Sequence, residues 1–173
     1  RFGAMTLGAN YLMIPRVAIV VLNWNNALDT LKCLRSLEHL NYSNYSIVVV
    51  DNGSTDDSVA TIAATYPGVT ILDAGENLGY TGGNNLGIKY ALNNGCDYVW
   101  LLNDDVTVAP DSLSALMSVG LDKLQAGFLG PKVYMREEPQ RILSAGCLLC
   151  NGWRSQHRGL GQLDQGQFDT EAE

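Results

Sequence analysis

Short apolar runs alternate along the chain with longer stretches in which apolar residues recur every three or four positions. The runs are continuous and rich in Val, Ile and Leu, which is typical of strands covered on both faces. They predict four strands, at residues 16–22, 47–50, 69–72 and 98–102. The periodic stretches predict helices between them, at about residues 27–38, 58–66 and 83–93. This order predicts an α/β fold with a doubly wound, mostly parallel, Rossmann-like sheet and helices on both faces.

Two helix starts and the later part of the chain carry further signals. Asn26 is predicted as the N-cap of the first helix, and residues 54–57 resemble a capping box before the second. Pro110 opens a further helix that ends at about Lys123. Two more strands are expected, at residues 127–134 and 142–149.

The size of the chain predicts one globular domain. Its 173 residues are 46% hydrophobic and 17% charged, as expected of an α/β domain with a real core. We place this domain at residues 16–160 and interpret residues 161–173 as a loop or frayed tail. Residues 1–15 carry neither an initiator Met nor a secretory signal pattern, so we interpret them as a tag or non-native leader.

The charge balance excludes nucleic acid as a partner. The chain has 11 Lys and Arg residues against 18 Asp and Glu residues, a net charge of −7. A small anionic ligand therefore needs a bridging cation. No stretch approaches the roughly 18 apolar residues of a transmembrane helix, so we expect no transmembrane segment.

Neither the cysteines nor the tryptophans predict a site by themselves. The cysteines are scattered, which favours a reducing, cytoplasmic compartment: Cys33, Cys96, Cys147 and Cys150. The last two form a C-x-x-C pair without the second ligand pair of a zinc site, so metal or redox use is the minor interpretation. The tryptophans are interpreted as core or edge aromatics: Trp24, Trp100 and Trp153.

Acidic residues follow two of the predicted strands directly. Asp51 ends the second strand, and Asn103, Asp104 and Asp105 follow the fourth. Carboxyl ends of parallel strands form the edge where open α/β proteins bind ligands, and carboxylates there can hold Mg²⁺ or Mn²⁺ against a diphosphate. Adjacent residues point apart, so we expect Asp104 and Asp105 to do different jobs. The alternative is an ordinary Asn/Asp-rich turn.

A glycine-rich segment, residues 76–87, leads into the third helix. Gly82 and Gly83 would let the backbone approach a ligand, and helix N-terminal N–H groups favour phosphates. The segment matches neither the dinucleotide fingerprint nor the P-loop, and a plain flexible loop is the alternative.

Four ordered motifs resemble the family 2 glycosyltransferases, especially their rhamnosyltransferase-like branch. The motifs occupy residues 17–25, 49–56, 76–88 and 101–106. The resemblance implies a GT-A fold and inverting transfer of a sugar, with rhamnose as the candidate, from a dTDP- or UDP-sugar to a glycan or lipid-linked acceptor, with Mg²⁺ or Mn²⁺. It also implies cell-envelope polysaccharide biosynthesis in the cytoplasm, at the inner face of the membrane, with peripheral membrane association of the full-length protein.

The resemblance also implies roles for individual residues. Asn23 and Asp51 would hold the nucleobase, Asn77 and Asn85 the nucleotide and diphosphate, and Asp104 the ribose or sugar. Asp105 would bind the metal, with Asp104 as a second ligand. Gly82 and Gly83 would belong to the same donor-binding set.

The sequence departs from the family after Asp105. Nothing there matches the Glu-Asp pair that supplies the family's general base, so we expect the base beyond Glu173 and a chain that binds donor but transfers it slowly. A non-catalytic nucleotide-sugar-binding fragment or pseudoenzyme is the closest alternative. A response-regulator receiver needs an acidic pair after the first strand, where Asn23 and Trp24 stand, and a nucleotidyltransferase needs a basic glycine loop there.

Overall fold

The computed structural model of the chain describes residues 14–123, 125–150 and 154–169. The chain divides into two compact units, one ending at Asp111 and the other beginning at Ser112. The domain limits predicted from the sequence stay a prediction. Among the described residues, no helix combines the length and the apolar character needed to cross a bilayer.

A four-stranded parallel sheet forms the first unit. Its strands are β1 (Val17–Asn23), β2 (Tyr45–Asp51), β3 (Thr70–Asp73) and β4 (Tyr98–Asn103), in the order β3-β2-β1-β4. The register pairs Asn23 with Asp51 and Leu22 with Asn103. The polar ends of three strands therefore lie along one edge of the sheet.

Three helices connect these strands: α1 (Ala27–Leu37), α2 (Ser58–Thr65) and α3 (Gly79–Asn93). The core of the sheet is fully buried, at residues such as Ile19, Val20 and Val49. This burial explains why the strands have continuous apolar runs rather than alternating ones. The prediction of an α/β fold with a parallel sheet and flanking helices is confirmed.

Helix α3 begins four residues earlier than the sequence predicted, at Gly79 instead of Gly83. The glycine-rich stretch is thus mostly helical, and its interpretation as a flexible loop is wrong. Two of its glycines face the sheet: an added Cβ would lie 2.5 Å from Leu22 Cδ1 at Gly83 and 2.4 Å from Val20 Cγ1 at Gly87. Glycine at these positions lets α3 lie closer to β1 than any side chain would allow.

Gly87→Ala is expected to destabilise the protein by about 2 kcal/mol, because the added methyl group enters filled space beside Val20 and this outweighs the better helix propensity of alanine. Urea unfolding measures the effect. Gly68→Ala is the control, since nothing lies within 4 Å of its added Cβ. Equal stability of the two variants would contradict the close helix–sheet contact.

The predicted helix caps are corrected in part. Asn26 precedes α1 as expected, yet its side chain makes no capping hydrogen bond. Helix α2 begins at Ser58, whose backbone N–H donates to Asp56 Oδ1 at 3.0 Å. Ser54 does not cap that helix, because its hydroxyl donates to Asp51.

The second unit contains α4 (Ser112–Asp122) and four short strands in two antiparallel pairs: β5 (Val133–Tyr134), β6 (Ile142–Ser144), β7 (Cys147–Cys150) and β8 (Arg154–His157). Only the last two residues of the strand predicted at 127–134 form. The run predicted at 142–149 is broken at Gly146, which has a φ of +103°. Strand β8 was not predicted, because it carries no apolar pattern.

An ion-pair cluster ties together distant parts of the second unit. Lys132 Nζ lies 2.8 Å from Asp164 Oδ2 and also pairs with Asp169, while the Tyr134 hydroxyl donates to Asp164 at 2.6 Å. The hydrogen bond from Lys132, assisted by that from Tyr134, lowers the pKa of Asp164 to about 2. These side-chain contacts add to the backbone hydrogen bonds of the same loop, in which the Asp164 N–H donates to the Gln140 carbonyl at 2.9 Å.

Candidate functional site

A cleft of about 370 Å³ opens at the carboxyl edge of the sheet in the first unit. This volume falls within the range of small-molecule sites, roughly 300–1,000 Å³. The lining residues come from the ends of β1, β2 and β4 and from the start of α3: Leu22, Trp24, Asn26, Asn52, Asn77, Tyr80, Asn103, Asp104 and Asp105. The cleft lies at the carboxyl ends of the strands, which is where open parallel α/β sheets bind their ligands.

Three of the residues predicted from the sequence line this cleft, namely Asn77, Asp104 and Asp105. The others lie outside the lining. Asn85 is exposed on α3, Gly82 is half-buried on the same helix, and the remaining three are buried: Asn23, Asp51 and Gly83. The donor-binding roles of these five residues stay predictions.

Asn23 and Asp51 form a buried hydrogen-bond network beside the cleft. Asn23 Nδ2 donates to Asp51 Oδ1 at 2.8 Å, and the Thr30 hydroxyl donates to Asn23 Oδ1 at 2.9 Å. Ser54 completes the network, since its backbone N–H donates to Asp51 Oδ2 and its hydroxyl to Asp51 Oδ1. Both oxygens of Asp51 therefore accept hydrogen bonds within the protein, which locks the ends of β1 and β2 together.

Asp104 and Asp105 follow β4 directly; Asp104 is half-buried and Asp105 is exposed. Burial raises the pKa of Asp104; the Asp105 charge also raises it, while a hydrogen bond from the Asn26 side chain opposes the shift. Burial, with the charges of Asp104 and Asp105 adding to it, likewise raises the pKa of the Cys33 thiol to about 12. A cation bound here would relieve this concentration of negative charge.

The carboxylate oxygens of Asp104 and Asp105 are suitable ligands for a hard divalent cation. Mg²⁺ is commonly held by one or two carboxylates together with waters and substrate phosphates, so Asp104 and Asp105 suffice. Within residues 14–123, 125–150 and 154–169, no three His, Cys, Asp or Glu side chains are grouped so that they could hold a metal ion. A cation at Asp104 and Asp105 therefore needs further ligands from water or from a bound phosphate. The site therefore suits a cation that arrives with a phosphate-bearing molecule.

Asp104→Asn is expected to raise the free energy of unfolding at pH 7, without metal, by less than about 1 kcal/mol. A carboxyl whose pKa is raised on folding binds its proton more tightly in the folded state, so its contribution to stability falls as pH rises through the raised pKa. The gain over wild type should therefore vanish below about pH 3.5. Urea unfolding across this pH range measures it, and a variant less stable than wild type at pH 7 would contradict the assignment.

Sequence reasoning missed two aromatic residues of the cleft, Trp24 and Tyr80. Their exposed fractions are 54% and 60%, so Trp24 lies at the edge of the sheet and not in its core. One signal was available, since Trp24 stands between two Asn residues just past the end of a strand. An aromatic side chain in that position reaches the ligand edge of the sheet rather than its core. Trp153 lies outside the described residues.

Comparisons with known proteins agree with this geometry. The profile of the family described as Glycosyl transferase family 2 matches residues 18–140. The N-acetylglucosaminyl-diphospho-decaprenol L-rhamnosyltransferase of Mycobacterium tuberculosis is 31% identical over 129 residues, which are 70% of this chain and 42% of that protein. Galactofuranosyltransferase GlfT1 of the same species is 34% identical over 98 residues, 56% of this chain and 32% of that protein. The chain thus spans less than half the length of either relative.

Two solved structures share the fold. The mannosyltransferase PcManGT from Pyrobaculum calidifontis, in complex with GDP-Man and Mn²⁺, has a TM-score of 0.54 and 23% identity over 70% of this chain and 36% of that chain. TarS 1-349 of S. aureus has a TM-score of 0.56 and 18% identity over 75% of this chain and 42% of that chain. The resemblance drawn from four sequence motifs is confirmed, because the family profile covers more than half of the chain. The chain belongs to glycosyl transferase family 2 and has the GT-A fold.

Proposed function

We propose that the cleft binds a nucleoside-diphosphate sugar together with Mg²⁺ or Mn²⁺, for transfer of the sugar with inversion to a glycan or lipid-linked acceptor. The observation that carries the proposal is the pairing of Asp104 and Asp105 with Asn77 and two exposed aromatic rings in one cleft. A rhamnose donor is the first candidate, since one relative is named as a rhamnosyltransferase and uses a diphospho-lipid by its name. Because the name of that relative includes a lipid carrier, decaprenol, we also propose a role at the inner face of the membrane.

The acidic pair serves the diphosphate end of the donor in this proposal. Asp105 holds the cation, and Asp104 contacts either the cation or the ribose or sugar. The bound cation would neutralise negative charge that develops on the departing diphosphate. Burial, with a smaller effect of the Asp105 charge, raises the pKa of Asp104, so a cation that reaches both acids would stabilise a carboxylate that is partly removed from water.

The remaining predicted residues serve the nucleoside end. Asn23 and Asp51 act on the nucleobase by fixing the end of β1, and with it the neighbouring Trp24. Asn77 and Asn85, with Gly82 and Gly83, present the start of α3 to the nucleotide. Exposed aromatic rings such as Trp24 supply a flat surface on which a base can stack.

Transfer requires a base that takes the proton from the acceptor hydroxyl as that oxygen attacks the anomeric carbon and the bond to the diphosphate breaks. The carboxylates that line the cleft are Asp104 and Asp105, and both serve the donor. We therefore propose that the base comes from outside the cleft-lining residues. The chain then binds the donor well and transfers it slowly.

Calorimetry with UDP- and dTDP-sugars, with and without Mn²⁺, tests the proposal when it is combined with a product assay. We expect Mn²⁺-dependent binding and turnover far below the roughly 1–1,000 s⁻¹ of typical enzymes. Absence of binding to every nucleotide sugar tried would contradict the proposed function. Binding without any product would favour a non-catalytic binding module instead.

Trp24→Ala is expected to weaken nucleotide binding about tenfold, because base stacking on an aromatic ring contributes about 1–3 kcal/mol. In the wild type, nucleotide binding should quench the fluorescence of Trp24. Trp24→Phe should lose the quenching while it keeps most of the affinity. Inorganic phosphate, which has no base, is the control. Unchanged affinity of the alanine variant would show that the ring does not contact the ligand.

A further inference from the structure

Asn52 links the end of β2 to the segment that opens α3. Its side chain is 4% exposed and makes three hydrogen bonds there. Asn52 Oδ1 accepts from the Leu78 backbone N–H at 3.0 Å. Asn52 Nδ2 donates to Asn77 Oδ1 at 3.1 Å and to the Gly79 carbonyl at 3.3 Å. One buried amide therefore fixes three consecutive residues at the rim of the cleft.

Backbone donors determine which way both amide groups face. A backbone N–H can only donate, so the atom of Asn52 facing Leu78 N is its oxygen, and its nitrogen faces Asn77. The same argument applies to Asn77, whose Oδ1 accepts from the Gly79 backbone N–H at 2.8 Å as well as from Asn52. The oxygen of Asn77 is thus committed to the protein, and its NH₂ group is left over.

The NH₂ group of Asn77 is placed to meet a ligand. Asn77 is exposed and lines the cleft. No hydrogen bond joins its Nδ2 to another residue in the part of the chain that the structure describes. An amide NH₂ donates and cannot accept. The rim of the cleft at this point therefore selects an acceptor atom.

We propose that Asn52 is a positioning residue that holds Asn77 with its NH₂ group toward the cleft, where it donates to an acceptor oxygen of the bound nucleotide. This rests on the proposed function, because it names the chemistry by which the same cleft recognises its donor. The acceptor is a carbonyl oxygen of the base or an oxygen of the diphosphate. Asn52 acts only through the segment 77–79.

Charge and hydrogen-bond capacity predict that a carboxylate at either position weakens ligand binding. Asp at position 77 has nearly the same shape, yet it would face the ligand oxygen with an acceptor and a negative charge. Asp at position 52 could still accept from Leu78 N but could not donate to Asn77 Oδ1 or to the Gly79 carbonyl. The change at position 77 reverses one interaction, the change at position 52 removes two hydrogen bonds, and both leave the shape of the site nearly unaltered.

Calorimetric titration of UDP and of uridine into the chain with Mn²⁺ tests the proposal. We expect Asn77→Asp to weaken UDP binding at least tenfold and Asn52→Ala to weaken it about fivefold. Asn52→Ala should have no further effect in the presence of Asn77→Ala, because both changes remove the same contact. Asn94→Ala, which changes an exposed Asn at the other end of α3, is the matched control and should bind as wild type.

The ligand pair identifies the acceptor oxygen. A loss of uridine and UDP affinity by the same factor assigns the contact to the base or ribose, and a loss confined to UDP assigns it to the diphosphate. The proposal is overturned if Asn77→Asp binds UDP with wild-type affinity. It is also overturned if the affinity losses of Asn52→Ala and Asn77→Ala multiply in the double variant. A wild-type chain that binds no nucleotide refutes the proposed function as well, so the two failures are distinguishable. Asn77→Asp changes an exposed side chain and keeps the test available if Asn52→Ala does not fold.

Discussion

Gly53→Ala is expected to lower the free energy of unfolding by about 3–5 kcal/mol. Two costs add at this position. Gly53 has a φ of +74°, which costs an L residue about 1–3 kcal/mol, and its Cβ would lie 2.6 Å from the Glu76 carbonyl carbon. The clash is with backbone, which cannot rotate away. The variant should also weaken nucleotide binding, because relief of the clash displaces the segment that carries Asn77.

Gly75→Ala separates the two costs. Gly75 has a similar φ of +75°, but nothing lies within 4 Å of an added Cβ. It should therefore lose only the conformational part, about 1–2 kcal/mol, and keep wild-type nucleotide affinity. Urea unfolding and calorimetry give both quantities. Equal stability of Gly53→Ala and Gly75→Ala would contradict the close contact between the turn after β2 and the backbone of residues 76–77.

Asp105→Asn is expected to weaken nucleotide-diphosphate binding in the presence of Mn²⁺ about 100-fold, or ~2.7 kcal/mol, because the cation loses a charged ligand. In EDTA the variant and the wild type should bind alike. Titration calorimetry with UDP under both conditions measures the difference. The asparagine side chain keeps the shape of the site, so the effect reports charge rather than packing.

Asp57→Asn is the matched control for this charge effect. Asp57 is an exposed acid that precedes α2, and its side chain makes no capping hydrogen bond to that helix. Its amide variant should keep the Mn²⁺ dependence of the wild type. A similar loss in both variants would mean that net charge, and not a cation at Asp105, governs the binding.

The strands and the position of the acids followed from the sequence because both depend on local rules. A continuous Val and Ile run is buried on both faces, and residues that follow parallel strands reach the same edge of the sheet. Asp104 and Asp105 could be placed in a cleft for that reason alone. The resemblance of four motifs to a known family added the expectation of a nucleotide-sugar donor, which no residue pattern gives by itself.

Other features depend on contacts between distant segments and could not be derived in this way. The close approach of α3 to the sheet at Gly83 and Gly87 becomes visible only when β1 is placed beneath the helix. Asn52 and Asn77 are distant in sequence, and their hydrogen bond depends on where β3 leads the chain. Asp51 accepts hydrogen bonds from Asn23 and Ser54 that the motif does not reveal, and its role toward the nucleobase stays a prediction. Hydrogen-bond satisfaction is a property of the folded network and not of the motif.

Diffraction from crystals soaked with UDP and Mn²⁺, with the anomalous signal of manganese recorded, would locate the cation and the nucleotide. We expect one manganese peak about 2.1 Å from a carboxylate oxygen of Asp105 and next to the diphosphate, with the base beside Trp24. A nucleotide bound elsewhere on the chain, or manganese bound away from Asp104 and Asp105, would contradict it.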